Sequence, residues 1–185
     1  MEPERARTVY RGEYLRVSLE VWNGREREIV DRPDVVAIVP VDRAGAVTLV
    51  RQVRPPARAA LLEIPAGRVE AGEALLESAR RELAEETGLR GGRWAAGPSF
   101  WTTPGFCRER VHLFFAEGLE PGEPSPDDGE ELELVRVPVG ELEARLGEIR
   151  DGKSLVALLL YVRAKETGAP LSLAAGEHED MVPPP

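Results

Sequence analysis

Between Tyr14 and Trp22 the chain reads YLRVSLEVW, apolar and polar residues alternating with the period of two that buries one face of a strand. Asn23-Gly24 follows, a pair that tolerates the left-handed backbone of a two-residue hairpin, and REREIVD returns as a second strand. The pattern then changes. VVAIVPV (Val35–Val41) and AVTLVRQV (Ala46–Val53) are nearly continuous β-branched runs joined by DRAG, as expected of strands covered on both faces. RPPARAA breaks the run as a loop, and LLEIPAG is a short extended segment ending at Pro65 and Gly67.

From Gly72 to Thr87 the period lengthens. Leu75, Ala79 and Leu83 fall four apart and form the buried stripe of a helix, with Gly88 as its C-cap. RWAAGPSFWTTPGF resumes extended structure as far as a Pro-Gly turn, and RVHLFFAEGL is another strand. Glu120–Glu131, EPGEPSPDDGEE, is a loop by its proline, glycine and acid content; LELVRVPV is a further strand. GELEARLGEIRDG and KSLVALLLYVRAKETG are helical, and the stretch from residue 169 onward has so little periodicity that it reads as a loose tail. Strands interleaved with a mid-chain helix and a C-terminal helical region predict an α+β chain, a mixed β-sheet sandwiched between helices.

Composition narrows the setting. A chain of 185 residues suffices for one domain with a real core. Its longest apolar run, Ser154–Val162, is too short to span a bilayer and is flanked by Lys153 and Arg163, so it predicts a core helix and no membrane association. The N-terminus has no apolar signal region, and the single cysteine, Cys107, excludes an intramolecular disulfide; a cytoplasmic protein is expected. The net charge of −9, with no basic stripe, argues against a nucleic-acid partner. A small anionic substrate remains compatible if cations are recruited locally.

The acid is concentrated in RELAEETG. Glu82, Glu85 and Glu86 lie three and four apart and share one side of the helix, where like charges repel by a few tenths of a kcal/mol per exposed pair. Clustered carboxylates suit hard cations such as Mg²⁺ or Mn²⁺, and the glycines of IPAGRVEAGE would let the carbonyl of Ala66 join them. On composition alone, a solvated helix with ion pairs such as Glu77–Arg81 explains the same residues.

The spacing discriminates. Gly67, five residues, Glu73, seven residues, then Arg81-Glu82-Leu83-Ala84-Glu85-Glu86-Thr87-Gly88-Leu89 resembles the Nudix box at every defined position. The resemblance implies an α/β/α Nudix fold over residues 34–168, with a β extension at 1–33 and a flexible tail at 169–185. It implies metal-dependent hydrolysis of a nucleoside diphosphate linked to another moiety. Glu82, Glu85 and Glu86 become catalytic residues and metal ligands beside Ala66, and Glu73 with Arg81 becomes the ion pair bracing the loop against the helix.

The flanks VRQVRPP and LLEIPAG are similar to the ADP-ribose pyrophosphatase branch of that family. By that likeness Arg51 and Arg54 meet the diphosphate or the terminal ribose, and Glu63 orients a ribose hydroxyl. TTPGFCRERVHLFFAEGL resembles the branch's SPGF…E…H segment, with Pro104 at its marker proline and Glu109 in pattern. Thr103 and Arg108 depart from it, which bears on the sugar end of the specificity, and His112 reads as a structural strand residue. The acidic loop would supply a carboxylate that activates or orients water, Glu130 in first place and Glu131 as the alternative. The extension implies a homodimer that exchanges its N-terminal strands, with Trp22 stacking on adenine; Tyr10, Tyr14 and Trp101 are further aromatics that either stack or fill a dimer core. The expected reaction converts ADP-ribose to AMP and ribose 5-phosphate. Alternatives are FAD, GDP-mannose or a dinucleoside polyphosphate as substrate, or a non-catalytic module that senses ADP-ribose.

Overall fold

Strand β4, Val35–Asp42, is apolar at nearly every position because both of its faces are covered. Val36 and Ile38 point into one core and Ala37, Val39 and Val41 into another, the alternation that a pleated strand imposes. The computed structural model describes residues 1–125 and 131–171. In it β4 is central to a seven-stranded mixed sheet whose main path runs β11 (Glu133–Pro138), β5 (Ala46–Arg54), β4, β10 (Arg110–Glu120), β8 (Arg90–Trp101). Only the β4–β10 pair is parallel there. Helix α1 (Leu75–Thr87) covers one face through Ala79 and Leu83. Helices α2 (Leu142–Arg145) and α3 (Gly152–Thr167) cover the other through Leu142, Ala157, Leu158 and Tyr161. The layers are those of the expected sandwich.

The sheet splits around Pro40. A proline in a central strand lacks the N–H that a ladder needs, so it is tolerated only where no partner waits. Along the edge concerned, the N–H of Ile38 is taken by Pro65 O at 2.9 Å, and the neighbouring strand β7 (Ala66–Arg68) pairs with Val35–Ala37. β5 meets β4 only at Val41–Val47 and then diverges to pair with β6 (Ala59–Glu63). Pro40 stands between the two partners.

Residues 5–31 form a second sheet in the order β1 (Arg5–Arg11), β2 (Arg16–Trp22), β3 (Arg25–Asp31), β9 (Cys107–Arg108). Asn23 and Gly24 both take positive φ, 51° and 70°, and turn the β2–β3 hairpin. The extension is stitched to the main domain: β9 pairs in parallel with β3, and Arg108 bonds Glu20 at 2.6 and 2.7 Å and Asp31 at 2.7 Å. Strand β1 escaped the sequence pattern because both of its faces are exposed, so it carries no hydrophobic period.

Two boundaries differ from the sequence reading. RPPARAA is a 3-10 turn, Pro55–Ala57, then Arg58 at φ 51°, and Ala59 already belongs to β6. Helix α1 starts at Leu75 rather than Gly72, with residues 71–72 in a turn. At its far end Gly88 adopts φ 74° and its N–H bonds Ala84 O at 2.9 Å; a Cβ there would strike the backbone of Gly122. Among the described residues no helix is long and apolar enough to cross a membrane.

Candidate active site

Arg81 organises the acidic end of α1. Its guanidinium donates to both oxygens of Glu73 at 3.1 and 3.0 Å, to Glu82 at 2.9 Å, to Glu85 at 3.0 Å and to the carbonyl of Arg68 at 3.1 Å. One side chain thus ties the loop before the helix to the helix itself. Ser78 Oγ also donates to Glu73, at 2.5 Å. The Arg81 hydrogen bonds outweigh burial and hold the Glu73 carboxyl at about 2, far below its ordinary value; Glu73 in turn strengthens the hold of Arg81 on its proton.

Gly67 is required by contact. A Cβ at that position would overlap the Glu82 carboxylate, so only glycine lets β7 lie against the helix. The next carboxylate, Glu86, is 5% exposed and accepts from the N–H of Ala66 at 3.2 Å. Ala66, Glu82, Glu85 and Glu86 are therefore together at the foot of the cleft, which encloses about 840 Å³. The last turn of α1 carries these acids and no base, at the negative end of the helix dipole. All-oxygen donors there fit a hard divalent cation in kind. Among the described residues no three acidic, histidine or cysteine side chains form a closed metal cage. Arg81 holds Glu82 and Glu85, and a cation would compete with it for their oxygens.

One wall of the cleft is charged. Glu63, 1% exposed, accepts from Arg54 Nε and Nη2, both at 2.8 Å, and from Lys153 Nζ at 2.5 Å. Burial alone would raise the Glu63 carboxyl; the two cations overcome it and bring it down to about 2. Asp151, the N-cap of α3, accepts from Lys153 at 2.9 Å and from the N–H of Ser154 at 3.0 Å, while Ser154 Oγ bonds the N–H of Ile64 at 2.9 Å. A cation in the first turn of a helix opposes the dipole, and Glu63 and Asp151 compensate. Lys153 was not a sequence candidate: its partner Glu63 is 90 residues away. The only signal was one of two lysines set directly behind a helix N-cap.

The opposite wall is aromatic. Phe100 and Trp101 from β8 line it with Val111, and Glu109 joins at the rim, paired with Arg32 at 2.8 Å. Arg68 also lines the cleft, its guanidinium 4.1 Å from the ring centroid of Tyr14.

Of the sequence candidates, Arg54, Glu63, Ala66, Glu82, Glu85, Glu86 and Glu109 share this cleft. Arg51 stands outside it, paired with Glu133 across the β5–β11 ladder at 3.2 Å. Trp22 also stands apart in its own chain: its indole N–H donates to Glu20 at 2.8 Å, and Arg108, a departure from the branch pattern in sequence, donates to Glu20 and Asp31. His112 is buried, with Ser99 Oγ 2.8 Å from Nδ1 and Asp34 2.9 Å from Nε2, as a structural residue would be. Glu130 lies outside the described residues; Glu131 is exposed. The acidic loop sets out from beside the site, since the N–H of Ser125 bonds Glu85 O at 2.9 Å.

The profile of the NUDIX domain matches residues 31–159. An "ADP-ribose pyrophosphatase" of Bacillus subtilis (strain 168) is 37% identical over 156 residues, covering 80% of this chain and 83% of its own. A "Methanol dehydrogenase activator" of Bacillus methanolicus is 35% identical over 154 residues, covering 80% and 83%. The crystal structure of an ADP compounds hydrolase superposes with a TM-score of 0.75 at 24% identity, over 92% of this chain and 98% of that one, a likeness of fold.

Proposed function

The chain belongs to the NUDIX domain family, and from that premise we propose that its cleft hydrolyses ADP-ribose to AMP and ribose 5-phosphate. The observation that carries the reading is the convergence of Ala66, Glu82, Glu85 and Glu86 at the foot of a cleft whose near wall presents Arg54 and Lys153. Hydrolysis adds one water across the P–O–P bridge, breaking one P–O bond and leaving two monophosphates. Members of this family depend on a divalent cation; Mg²⁺ or Mn²⁺ held by Glu82, Glu85, Glu86 and the Ala66 carbonyl would supply charge neutralisation at phosphorus and acidify water.

The chain's own residues supply position. Glu73 and Arg81 hold the loop and helix in register, so the carboxylates act from a rigid element. Arg54 and Lys153 offer donors to a phosphate or sugar hydroxyl, with Glu63 as their anchor. Glu130, or Glu131 beside it, is the candidate to take the proton of the attacking water, on the loop Glu120–Glu131, whose Ser125 N–H bonds the carbonyl of Glu85. For the extension we favour a role in homodimer formation, supported by exposed Val9, Tyr10 and Leu15.

The test is a panel of ADP-ribose, FAD, GDP-mannose and dinucleoside polyphosphates with Mg²⁺ or Mn²⁺, comparing the wild type with Glu82→Gln and Glu86→Gln. ADP-ribose should be the best substrate, and each variant should lose activity. Full activity in both variants, or no cleavage of any compound by the wild type, refutes the catalytic reading.

A further inference from the structure

We propose that Arg68 is a further substrate-binding residue, whose guanidinium meets the diphosphate beside the acidic foot, and that Tyr14 of the N-terminal extension is its positioning residue. The proposal rests on the hydrolase reading above and gives the extension a part within its own chain. Among the described residues four cations line the cleft: Arg32, Arg54, Arg68 and Lys153. Three are committed to carboxylates, Arg32 to Glu109 at 2.8 Å, Arg54 to Glu63 at 2.8 Å, and Lys153 to Glu63 at 2.5 Å and Asp151 at 2.9 Å. Among the described residues no carboxylate lies within ion-pair distance of Arg68, so its charge is left for a ligand.

The backbone aims this side chain. β7 pairs with β4 so that Ala66 faces Ala37, Gly67 faces Val36 and Arg68 faces Val35. Strand alternation sets Gly67 against Glu82 and turns Ala66 and Arg68 to the other side, where Ala66 and Val35 pack on the core that α3 covers. The Arg68 carbonyl accepts from Arg81 at 3.1 Å, and the N–H of Val69 donates to Asp34 O at 2.9 Å. Arg68 thus leaves a fixed backbone two residues, or roughly 7 Å, along the strand from Ala66. A phosphate seated at the acidic foot lies within the reach of its side chain.

The side chain is held as well, by a group that does not spend its charge. The Arg68 guanidinium carbon lies over the Tyr14 ring, 4.1 Å from its centroid. A carboxylate would hold the arginine by neutralising it, whereas a ring holds it through its π face. The hydrogen bond and charge of Glu13 push the Tyr14 hydroxyl above its ordinary value, which keeps the ring neutral. Tyr14 is 48% exposed, belongs to neither hydrophobic core and is not among the residues that line the cleft. Packing does not explain its place, and any part it has in binding runs through Arg68.

A ligand that binds without being cleaved isolates the contact. The probe is the methylene-bridged analogue of ADP-ribose, with CH₂ in place of the bridging oxygen, titrated calorimetrically in the presence of Mg²⁺. Arg68→Ala should raise its Kd by about tenfold, the lower end for a hydrogen bond between charged groups. Arg68→Lys should recover part of that loss, since it keeps the charge but not the planar fork. Tyr14→Ala should raise the Kd by about threefold, and Tyr14→Phe, which keeps the ring, should stay within about twofold of wild type. In the Arg68→Ala background Tyr14→Ala should add nothing, because there is no guanidinium left to position. Adenosine, which carries no phosphate, should bind every variant as it binds the wild type. An analogue Kd within about twofold of wild type in Arg68→Ala overturns the proposal, and so does an equal weakening of adenosine, the mark of a disturbed cleft. A Tyr14→Ala effect that persists undiminished in the Arg68→Ala background overturns the part given to Tyr14. A wild type that binds the analogue but cleaves no ADP-ribose sinks the hydrolase reading and leaves the binding comparison standing.

Discussion

The two walls of the cleft solve the same problem, holding a functional group at a fixed place beside water, in opposite ways. On the charged wall Arg54 and Lys153 are fixed by sharing one buried carboxylate, Glu63, so the groups that line the cleft and the group that holds them are a single network. On the aromatic wall the support is separate: Trp101 faces the cleft while Arg110, Asp34, His112 and Ser99 hold it from behind. Disturbing the first should therefore cost binding and stability together. Trp101 itself, half-exposed and outside both cores, can be removed at little cost in stability, whereas its buried support cannot.

The sharpest check sits between the walls. Glu82→Gln at the foot should lower kcat by on the order of 10²-fold or more, the scale of lost transition-state charge stabilisation, with little change in substrate affinity. A variant that changed only KM would place Glu82 with the walls rather than with the chemistry. Next comes Glu63→Gln. Breaking a buried pair by removing one partner leaves charge uncompensated, and since Arg54 is 40% exposed the cost should be about 2–3 kcal/mol in urea unfolding, with a raised KM. Arg54→Ala should raise KM by about tenfold without altering kcat; unchanged kinetics would remove it from the substrate site.

Arg110→Lys probes the other wall. It keeps the charge but loses the planar face against the indole, so KM should rise by only about threefold, and urea unfolding should shift less than in Glu63→Gln. A stability loss as large as that of Glu63→Gln would erase the distinction between the walls. The smallest effect at working pH is the titration of Glu63. Its folded value, about 2, lies below the ordinary 4.5, so its contribution is fully present above about pH 4.5 and is lost as pH falls toward 2. Glu63→Gln should flatten that part of the acid-unfolding curve, whereas Trp101→Ala should leave it intact.

How much was legible beforehand follows the range of each interaction. The hairpin at Asn23-Gly24, the two-faced β4 and the stripe Leu75, Ala79, Leu83 are local patterns that the folded chain repeats. Strand β1 has no local signature, because an exposed edge strand need not alternate. Arg54 and Glu63 were each visible as site candidates, yet their mutual bond was not: it requires β5 and β6 to pair. Lys153 was invisible as a site residue, because nothing near it in sequence indicates the carboxylate it meets. Trp101 was legible only as an aromatic with two readings, because its rear support joins the start of β4 with β8 and β10.

By itself the sequence determined the layered α+β plan, the family and the acid-bearing helix, since these depend on periodicity and on spacing within 23 consecutive residues, Gly67 to Leu89. Only the tertiary structure decided that the sheet splits around Pro40, that Glu63 is spent on two cations, and that Trp101 rather than Trp22 faces the cleft of its own chain. The physical reason is reach. A helix turn relates residues three and four apart, whereas a ladder or a buried ion pair joins groups tens of residues distant, and no local pattern encodes which of them will meet.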